Sequence, residues 1–350
     1  MITHTNFTQP QAERRIVLAY KNMPVAHHVS HIGLGVSALN TAKVLRANGY
    51  YTDVWPILGA QQLAQRIDAT NPKPSHIVLG APWIKALDLQ AYLVFRYPQI
   101  QFAVTCHSNV GFLSADPQAI INFRDDLNLE QGALNFQAAG NSKRFCSFIE
   151  NSYGRPCTYL PNLYFLGDVQ PKTRRLWSGG TLRLGSFGAV RPLKNHISAA
   201  AAALELSDKL HTDVEFHISV GRIEGGYTVV RAIDAMLNGS PSVKLVKDPW
   251  YQWPNFRRIV TAMHLLLQPS FTETFNMVTA DGASESVPSV VSDAIEWAPN
   301  HWKADTDDPL SIARIGKQLI HDSDAGTDGF RALQRHNDQG LGAWKNWIGC

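Results

Sequence analysis

The stretch HLLLQPSFTETFNMVTADGASESVPSVVSD, residues 264–293, decides the fold of this chain. A short apolar run opens it and stops at Pro269 and Ser270, and a second short apolar run closes it near Val290. Residues 276–285, between the two runs, have the length of a short helix. Units of strand, helix and strand are the building blocks of a parallel sheet covered by helices. We therefore predict such a unit here, within an α/β protein.

The same alternation of short apolar runs and longer amphipathic segments continues along the chain. Each step has the length that a right-handed, doubly wound sheet requires, so two sets of strands are predicted. Strands of the first set are predicted at 15–20, 51–57, 76–79, 101–106, 144–149 and 158–160, with a clear helix at 36–48. Strands of the second set are predicted at 181–189, 214–222, 242–248, 264–270 and 288–293, with helices at 195–206, 227–237, 253–263 and 276–285.

Length and local composition predict two domains. The 350 residues exceed the ~250 residues at which a single hydrophobic core stops growing. The segment FLGDVQPKTRRLWSGG, residues 165–180, is rich in Gly, Pro and charge, and we predict it to be a linker. It separates a first domain at 1–164 from a second at 181–329, and residues 330–350 are predicted to form a C-terminal helical segment.

Charge and cysteine usage narrow the class of protein. The net charge of +3, from 32 basic and 29 acidic side chains, is too balanced to make nucleic acid the default partner. The four cysteines form no CxxC pair and no metal-ligand spacing, which favours a reduced chain over a disulfide framework. The N-terminal sequence is polar, and no segment approaches the ~18–20 apolar residues of a membrane span. We therefore predict a cytoplasmic protein.

One loop of the second set carries residues that bind anions. In an open parallel sheet, ligands bind beyond the carboxyl ends of the strands, where the amides and dipole of helix N-termini attract negative charge. The loop GSFGAVRPLKNH, residues 185–196, follows a predicted strand and carries Gly188, Arg191 and Lys194. Its two cations fit a diphosphate, and the alternative is a surface loop with two solvated bases.

The quoted stretch supplies a second such loop. The amides of Phe275, Asn276 and Met277 are predicted to point out of a helix N-terminus. Glu273 lies in the loop before that helix, and Asp281 lies between one and two turns into it. The two acids either bind one ligand or consist of a dipole-complementing Glu and an incidental Asp.

Together these residues resemble the donor-binding half of GT-B glycosyltransferases of the retaining, glycogen-synthase-like type, glycosyltransferase family 4. The family pattern is Pro-Ser, Glu-Gly-Phe-Gly, a short apolar run, a second Glu, and Gly-x-Pro-Val-Val. The corresponding residues here are Pro269-Ser270, Glu273-Thr274-Phe275-Asn276, Asp281 and Val287-Pro288-Ser289-Val290-Val291. The resemblance implies two Rossmann-like domains that face each other across a cleft, with C-terminal helices packing back toward the first domain.

The resemblance also implies roles for residues of the second domain. Glu273 would bind hydroxyls of the transferred sugar, Asp281 the nucleotide ribose, and the amides after Glu273 the diphosphate. Asp281 is one methylene shorter than the usual Glu, and neither family glycine after Glu273 is present. The family's loop arginine falls on Ala189, two positions before Arg191, whereas Lys194 matches the pattern.

The first half of the sequence contains fewer residues that match the family pattern. The run QFAVTCHSNVGF, residues 101–112, places His107 after a predicted strand, where the family often has a histidine that faces the donor sugar. The run HIGLGVSAL, residues 31–39, places Gly33 and Gly35 before the predicted helix, in a loop that approaches the donor phosphates in GT-B proteins. It is not a dinucleotide-binding GxGxxG, because its third glycine position is Ala38.

The implied activity is transfer of a sugar from a nucleotide diphosphate sugar, with UDP or GDP as the expected nucleotide, to an acceptor hydroxyl. Lys194, Arg191 and the helix amides would stabilise the leaving diphosphate without a metal, and the anomeric configuration would be retained. The acceptor is a saccharide, another small molecule or DNA, and sequence fixes neither it nor the oligomeric state. The alternatives are a DNA-modifying glycosyltransferase that acts on hydroxymethylated bases, a nucleotide-sugar epimerase of GT-B shape, and a non-enzymatic two-domain binding protein.

Overall fold

The computed structural model describes residues 14–22, 31–167, 170–173 and 176–349, so the predicted linker is described except at positions 168, 169, 174 and 175. The chain divides into two compact units. The first contains the segment up to Phe165 together with residues from Asn337 onward, and the second runs from Leu166 to His336. The two units are described in turn.

The first unit is built on a six-stranded sheet in which every strand pair is parallel. The strand order is β2-β1-β3-β4-β5-β6. The strands are β1 (Arg15–Lys21), β2 (Tyr51–Ile57), β3 (His76–Leu79), β4 (Gln101–Cys106), β5 (Phe136–Gly140) and β6 (Thr158–Tyr159). β3 and most of β1 are buried, as expected for inner strands that helices cover on both faces.

Helices connect these strands and cover the sheet. They are α1 (His31–Ala47), α2 (Ala60–Asp68), α3 (Ala86–Leu89), α4 (Val110–Leu113), α5 (Pro117–Gly132) and α6 (Lys143–Tyr153), and a π-helical segment, Gln90–Val94, continues α3. The long helix α5 begins where Asp116 accepts a hydrogen bond from the amide of Ala119, with Pro117 in its first turn. Both features are ordinary start signals of a helix.

The strand predicted at 144–149 is wrong, because this segment lies within helix α6. The hydroxyl of Ser142 accepts a hydrogen bond from the amide of Phe145 and so caps the helix. Phe145 and Ile149, four residues apart, are both buried on one face of the helix. The strand that belongs here is β5, which starts at Phe136 and was not predicted.

Helix α1 begins at His31, five residues before the predicted start. Gly33 and Gly35 therefore lie in the helix and not in a loop before it. A Cβ on Gly35 would lie 3.2 Å from the ring of Tyr20, whereas a Cβ on Gly33 would meet nothing within 4 Å. Gly35 thus allows close packing of α1 against the end of β1.

The second unit has a five-stranded parallel sheet with the order β11-β10-β7-β8-β9. Its strands are β7 (Leu182–Ser186), β8 (Val214–Ser219), β9 (Val243–Asp248), β10 (Leu265–Gln268) and β11 (Ser289–Val291). Its helices are α7 (His196–Leu210), α8 (Tyr227–Leu237), α9 (Trp253–Thr261), α10 (Met277–Ser284) and α11 (Pro309–His321). The last helix, α12 (Ala325–Ile348), has residues in both units. The quoted stretch thus forms β10, α10 and β11, as predicted.

The strand order reverses direction in the middle of this second sheet. The chain moves outward from β7 through β8 to β9, then returns to the other side of β7 to form β10 and β11. The point at which the order reverses lies between β7 and β10, and ligands bind at such a point in open α/β sheets. This order places the two sequence-predicted loops next to each other.

The last helix, α12, is one continuous helix that includes most of the predicted C-terminal helical segment, residues 330–350. Trp344 and Ile348, near its end, are buried in the core of the first unit. The indole of Trp344 donates a hydrogen bond to the carbonyl of Pro161. Of the helices in the described ranges, none is long and apolar enough to cross a membrane.

Two glycines of α12 provide a test of packing. A Cβ on Gly329 would fall 2.1 Å from the ring of the fully buried Trp302, whereas Gly342 has nothing within 4 Å. We expect Gly329→Ala to lower the free energy of unfolding by about 1–3 kcal/mol through overpacking. We expect Gly342→Ala, the matched control, to leave it unchanged or raise it by up to about 1 kcal/mol, because Ala favours the helix. Urea denaturation of both variants measures this, and equal effects would contradict it.

Candidate functional site

The loops after β7 and β10 are joined by hydrogen bonds at the carboxyl end of the second sheet. The amide of Phe271 donates to the carbonyl of Leu193 at 3.0 Å. The side-chain amide of Asn195 donates to the carbonyls of Pro269 at 3.0 Å and Thr306 at 2.7 Å. Asn195 has a φ of 57°, a left-handed conformation that Asn tolerates better than most residues. These hydrogen bonds hold the two loops together.

An ion pair between Lys194 and Glu273 connects the two loops. Both side chains are 10% exposed. Burial lowers the pKa of Lys194, while the charge of Glu273 acts in the opposite direction. The structure thus brings together Glu273, which was predicted to bind the sugar, and Lys194, which was predicted to bind the diphosphate. Their opposite charges neutralise each other.

Arg191 belongs to a second charged group, which includes two residues of the β8–α8 loop. Its guanidinium lies 3.4 Å from a carboxylate oxygen of Glu224, and the other oxygen of Glu224 accepts a hydrogen bond from Arg222. Arg222 stacks on the ring of Trp250, 5.2 Å from its centroid. The sequence indicates Arg191 as a diphosphate ligand and Glu224, which follows the end of the predicted strand 214–222, as a residue that borders the nucleotide base. Arg222 was missed, although it follows a strand end in the same way.

Two glycines make room for these loops. Gly188 has a φ of +107°, and a Cβ there would lie 3.8 Å from Cε of Lys194 and 4.0 Å from Val278 on α10. Gly226 has no space for a side chain, because a Cβ would lie 2.3 Å from the carbonyl oxygen of Val190. Gly188, predicted as part of the anion-binding loop, therefore lies between the Lys194 side chain and α10.

The N-terminus of α10 is shaped by Asn276. Its side chain accepts a hydrogen bond from the amide of Thr279 at 3.0 Å, and its φ of 57° turns the chain sharply into the helix. The first amides of any helix have no partner within that helix. Phe275 and Asn276 are buried, so their side chains help to hold the loop. The contact of the amides of Phe275, Asn276 and Met277 with a diphosphate stays a prediction.

The chain before α10 is also fixed from the other side. The carbonyl of Phe275 accepts a hydrogen bond from the indole of Trp297 at 2.6 Å, and the two rings lie 5.7 Å apart between centroids. The ring of His336 lies 5.2 Å from that of Phe275. These aromatic contacts orient the turn that contains Glu273.

Asp281 is buried, with 1% of its surface exposed. One oxygen of its carboxyl group accepts a hydrogen bond from the indole of Trp253, the first residue of α9, at 2.9 Å. The predicted contact of Asp281 with a ribose stays a prediction, and the hydrogen bond from Trp253 is a contact that the sequence did not predict.

His107, Gly33 and Gly35, the site residues predicted in the first half of the sequence, lie in the first unit. The contacts described so far all lie within the second unit. His107 follows β4 as predicted and is half-buried, and the side-chain amide of Asn141 lies 3.3 Å from its Nδ1. Burial lowers the pKa of His107 to about 4, so the imidazole is neutral at physiological pH. Gly33 and Gly35 lie in the first turns of α1.

No protein-family model matches the sequence, and no curated protein matches it. Solved structures do resemble it. The N-terminal domain of Candida albicans trehalose-6-phosphate phosphatase has a TM-score of 0.65 at 9% identity, covering 96% of this chain and 97% of that one. Anabaena HepE, solved with UDP and glucose, has a TM-score of 0.60 at 13% identity, covering 95% and 100%.

A third likeness is to the pneumococcal O-GlcNAc transferase GtfA, solved with UDP and GlcNAc. Its TM-score is 0.53 at 12% identity, covering 83% of this chain. The present chain spans 60% of the length of GtfA and 55% of that of S. aureus TarM. These structures, with the two parallel-sheet units described above, confirm the predicted GT-B fold.

The site contains a buried histidine that gives a test of its electrostatics. His196 begins α7 and is 1% exposed. Burial, and then the positive charges of Lys194 and Arg191, lower the pKa of His196 from 6.5 to about 3. The unfolded chain therefore binds a proton below about pH 6.5 that the folded chain does not, and the free energy of unfolding falls as pH falls toward 3.

We expect His196→Leu to flatten this dependence. Between pH 6 and pH 5, the variant should lose about 1 kcal/mol less of its free energy of unfolding than the wild type loses. Urea denaturation at the two pH values measures the difference. The exposed His321, replaced in the same way, serves as control and should follow the wild type. A His196→Leu variant with the full pH dependence would contradict the assigned environment.

Proposed function

We propose that this protein is a glycosyltransferase that moves a sugar from a nucleotide diphosphate sugar to an acceptor hydroxyl. The observation that carries the proposal is the ion pair between Lys194 and Glu273, which joins two loops at the point where the strand order reverses. The same fold occurs in a transferase and in a domain of a phosphatase, so the fold alone does not determine the activity. We therefore base the proposed function on this site.

The charges of the site suit a diphosphate. Arg191, Lys194 and Arg222 face the carboxylates of Glu224 and Glu273, which leaves one positive charge among these five side chains. A diphosphate bound here would replace the carboxylates of Glu224 and Glu273 as the partner of the three cations. The N-terminus of α10 adds the positive end of a helix dipole at the same place.

The proposed chemistry follows from this arrangement. When the bond between sugar and diphosphate breaks, negative charge grows on the leaving phosphate, and Lys194, Arg191 and the α10 amides stabilise it without a metal. Glu273, released from Lys194, binds hydroxyls of the sugar. The contact of His107 with the donor sugar stays a prediction from the sequence, and its imidazole is neutral because of its low pKa. In the retaining mechanism the acceptor attacks from the side of the leaving group, and the phosphate takes its proton.

UDP or GDP is the proposed nucleotide, and a saccharide or another small molecule is the proposed acceptor. Support for UDP comes from HepE and GtfA, whose structures contain it. The three other activities considered from the sequence have no observation of their own in the site.

Removal of the Lys194 charge tests donor binding. We expect Lys194→Met to weaken UDP binding about 10- to 100-fold, because a charge-assisted contact with the diphosphate is lost. Titration calorimetry of UDP and GDP measures this, with melting temperature as the check on folding. Lys209→Met, at an exposed lysine of α7, is the matched control. UDP binding that is unchanged in Lys194→Met would contradict the assigned diphosphate site.

Replacement of Glu273 tests the sugar contact. Gln keeps the shape of the side chain and accepts a hydrogen bond from Lys194, so Glu273→Gln should fold and bind UDP. We expect release of UDP from the preferred UDP-sugar to fall about 100-fold, because an electrostatic contact in the transition state is lost. The preferred sugar is first identified by thermal shift, and Glu205→Gln, at a more exposed acid of α7, is the control. Normal turnover in Glu273→Gln would overturn the assignment.

A further inference from the structure

Trp253 and Asp281 are the two residues of the site whose pairing the proposed function does not use. Asp281 lies in the second turn of α10 and is buried, and Trp253 opens α9 and is half-buried. Both helices follow strands of the same parallel sheet, so both begin at the carboxyl-end edge where ligands bind. The indole N–H of Trp253 donates to Asp281 at 2.9 Å.

The indole ring is held on its face as well as at its N–H. The guanidinium of Arg257, one turn further along α9, lies 5.5 Å from the ring centroid. Arg257 is itself fixed, because it forms an ion pair with Glu285, whose side chain is buried at the end of α10. Trp253 therefore has two independent contacts that set its orientation.

Packing connects this indole to the diphosphate loop. Phe256, three residues after Trp253 and on the same side of α9, packs edge-to-face on Phe187 at 5.4 Å. Phe187 immediately precedes Gly188, whose missing side chain would lie beside Lys194 and Val278. The helix that carries Trp253 is thus packed directly on the turn that leads to Lys194.

From this geometry we propose that Asp281 is a positioning residue, which holds the indole of Trp253 as a wall of the nucleoside end of the site and does not itself contact the ribose. This inference rests on the proposed function and refines it. The inference also explains why this position has Asp and not the longer Glu of the family pattern. The carboxyl group of Asp281 is buried against α9, where it accepts a hydrogen bond from the indole of Trp253. The half-buried indole, flat and apolar, is suited to contact with the sugar and base of a nucleotide.

Three variants separate this role from a direct ribose contact. Asp281→Asn keeps an oxygen that accepts the Trp253 hydrogen bond, so UDP should bind within about twofold of wild type. Asp281→Ala and Trp253→Phe each remove that hydrogen bond, and each should weaken UDP binding about tenfold. Because the two residues act as one unit, the double variant should bind no more weakly than either single variant. Asp208→Asn, at an exposed acid of α7, is the control.

An NMR measurement without nucleotide tests the positioning directly. The protein has nine tryptophans, and the indole N–H resonance of Trp253 is assigned by its absence in Trp253→Phe. It should stay in place in Asp281→Asn and shift in Asp281→Ala, and addition of UDP to the wild type should shift it. UDP binding that is weakened equally in Asp281→Asn and Asp281→Ala, with wild-type affinity in Trp253→Phe, would overturn the inference in favour of a ribose contact.

The same measurements distinguish a failure of the proposed function from a failure of the inference alone. A wild-type protein that binds neither UDP nor GDP would overturn the proposed function, and the inference with it. A wild-type protein that binds UDP, with unchanged affinity in both Asp281→Ala and Trp253→Phe, would overturn only the inference. Melting temperatures of all variants show whether a loss of binding is a loss of folding.

Discussion

The side chain of Asn195 makes the interaction on which the site depends. Its amide group donates to two carbonyls from different parts of the second unit, Pro269 and Thr306, and its left-handed backbone turns the β7 loop into α7. These hydrogen bonds hold the loops after β7 and β10 together. With the loops fixed, Lys194 and Glu273, each 10% exposed, form an ion pair. Fixed dipoles and charges of this kind need little reorganisation when negative charge develops during a reaction.

Much of the fold was predictable because strands and helices of a parallel sheet leave strong local patterns. Helix α8 was predicted to the residue, and the strands of the second sheet to within a few residues. The failure at 144–149 has a physical cause. The true strand, β5, contains small residues, and Gly140 at its end is required because a Cβ there would lie 2.7 Å from Phe145. Tertiary packing, not local propensity, decides such a segment.

The sequence predicted which residues lie at the carboxyl-end edge of the second sheet, but not how they contact one another. Arg191, Lys194, Glu273 and the α10 N-terminus follow from the types of residue at strand ends. Lys194 and Glu273 are 79 positions apart, and only the strand order brings them together as a pair. The partner of Asp281 was unpredictable for the same reason, since the sequence spacing of 28 residues gives no sign that Trp253 lies beside it.

The last helix has a consequence for how the protein is made. Trp344 and Ile348 belong to the hydrophobic core of the first unit, and Asn337 and Tyr164 exchange two hydrogen bonds, at 2.9 Å and 2.6 Å. Domains usually fold in order as the ribosome releases them. Here part of the core of the first unit comes from Trp344 and Ile348, which follow the whole second unit in the chain. The first unit therefore completes its core only after the second unit has been synthesised.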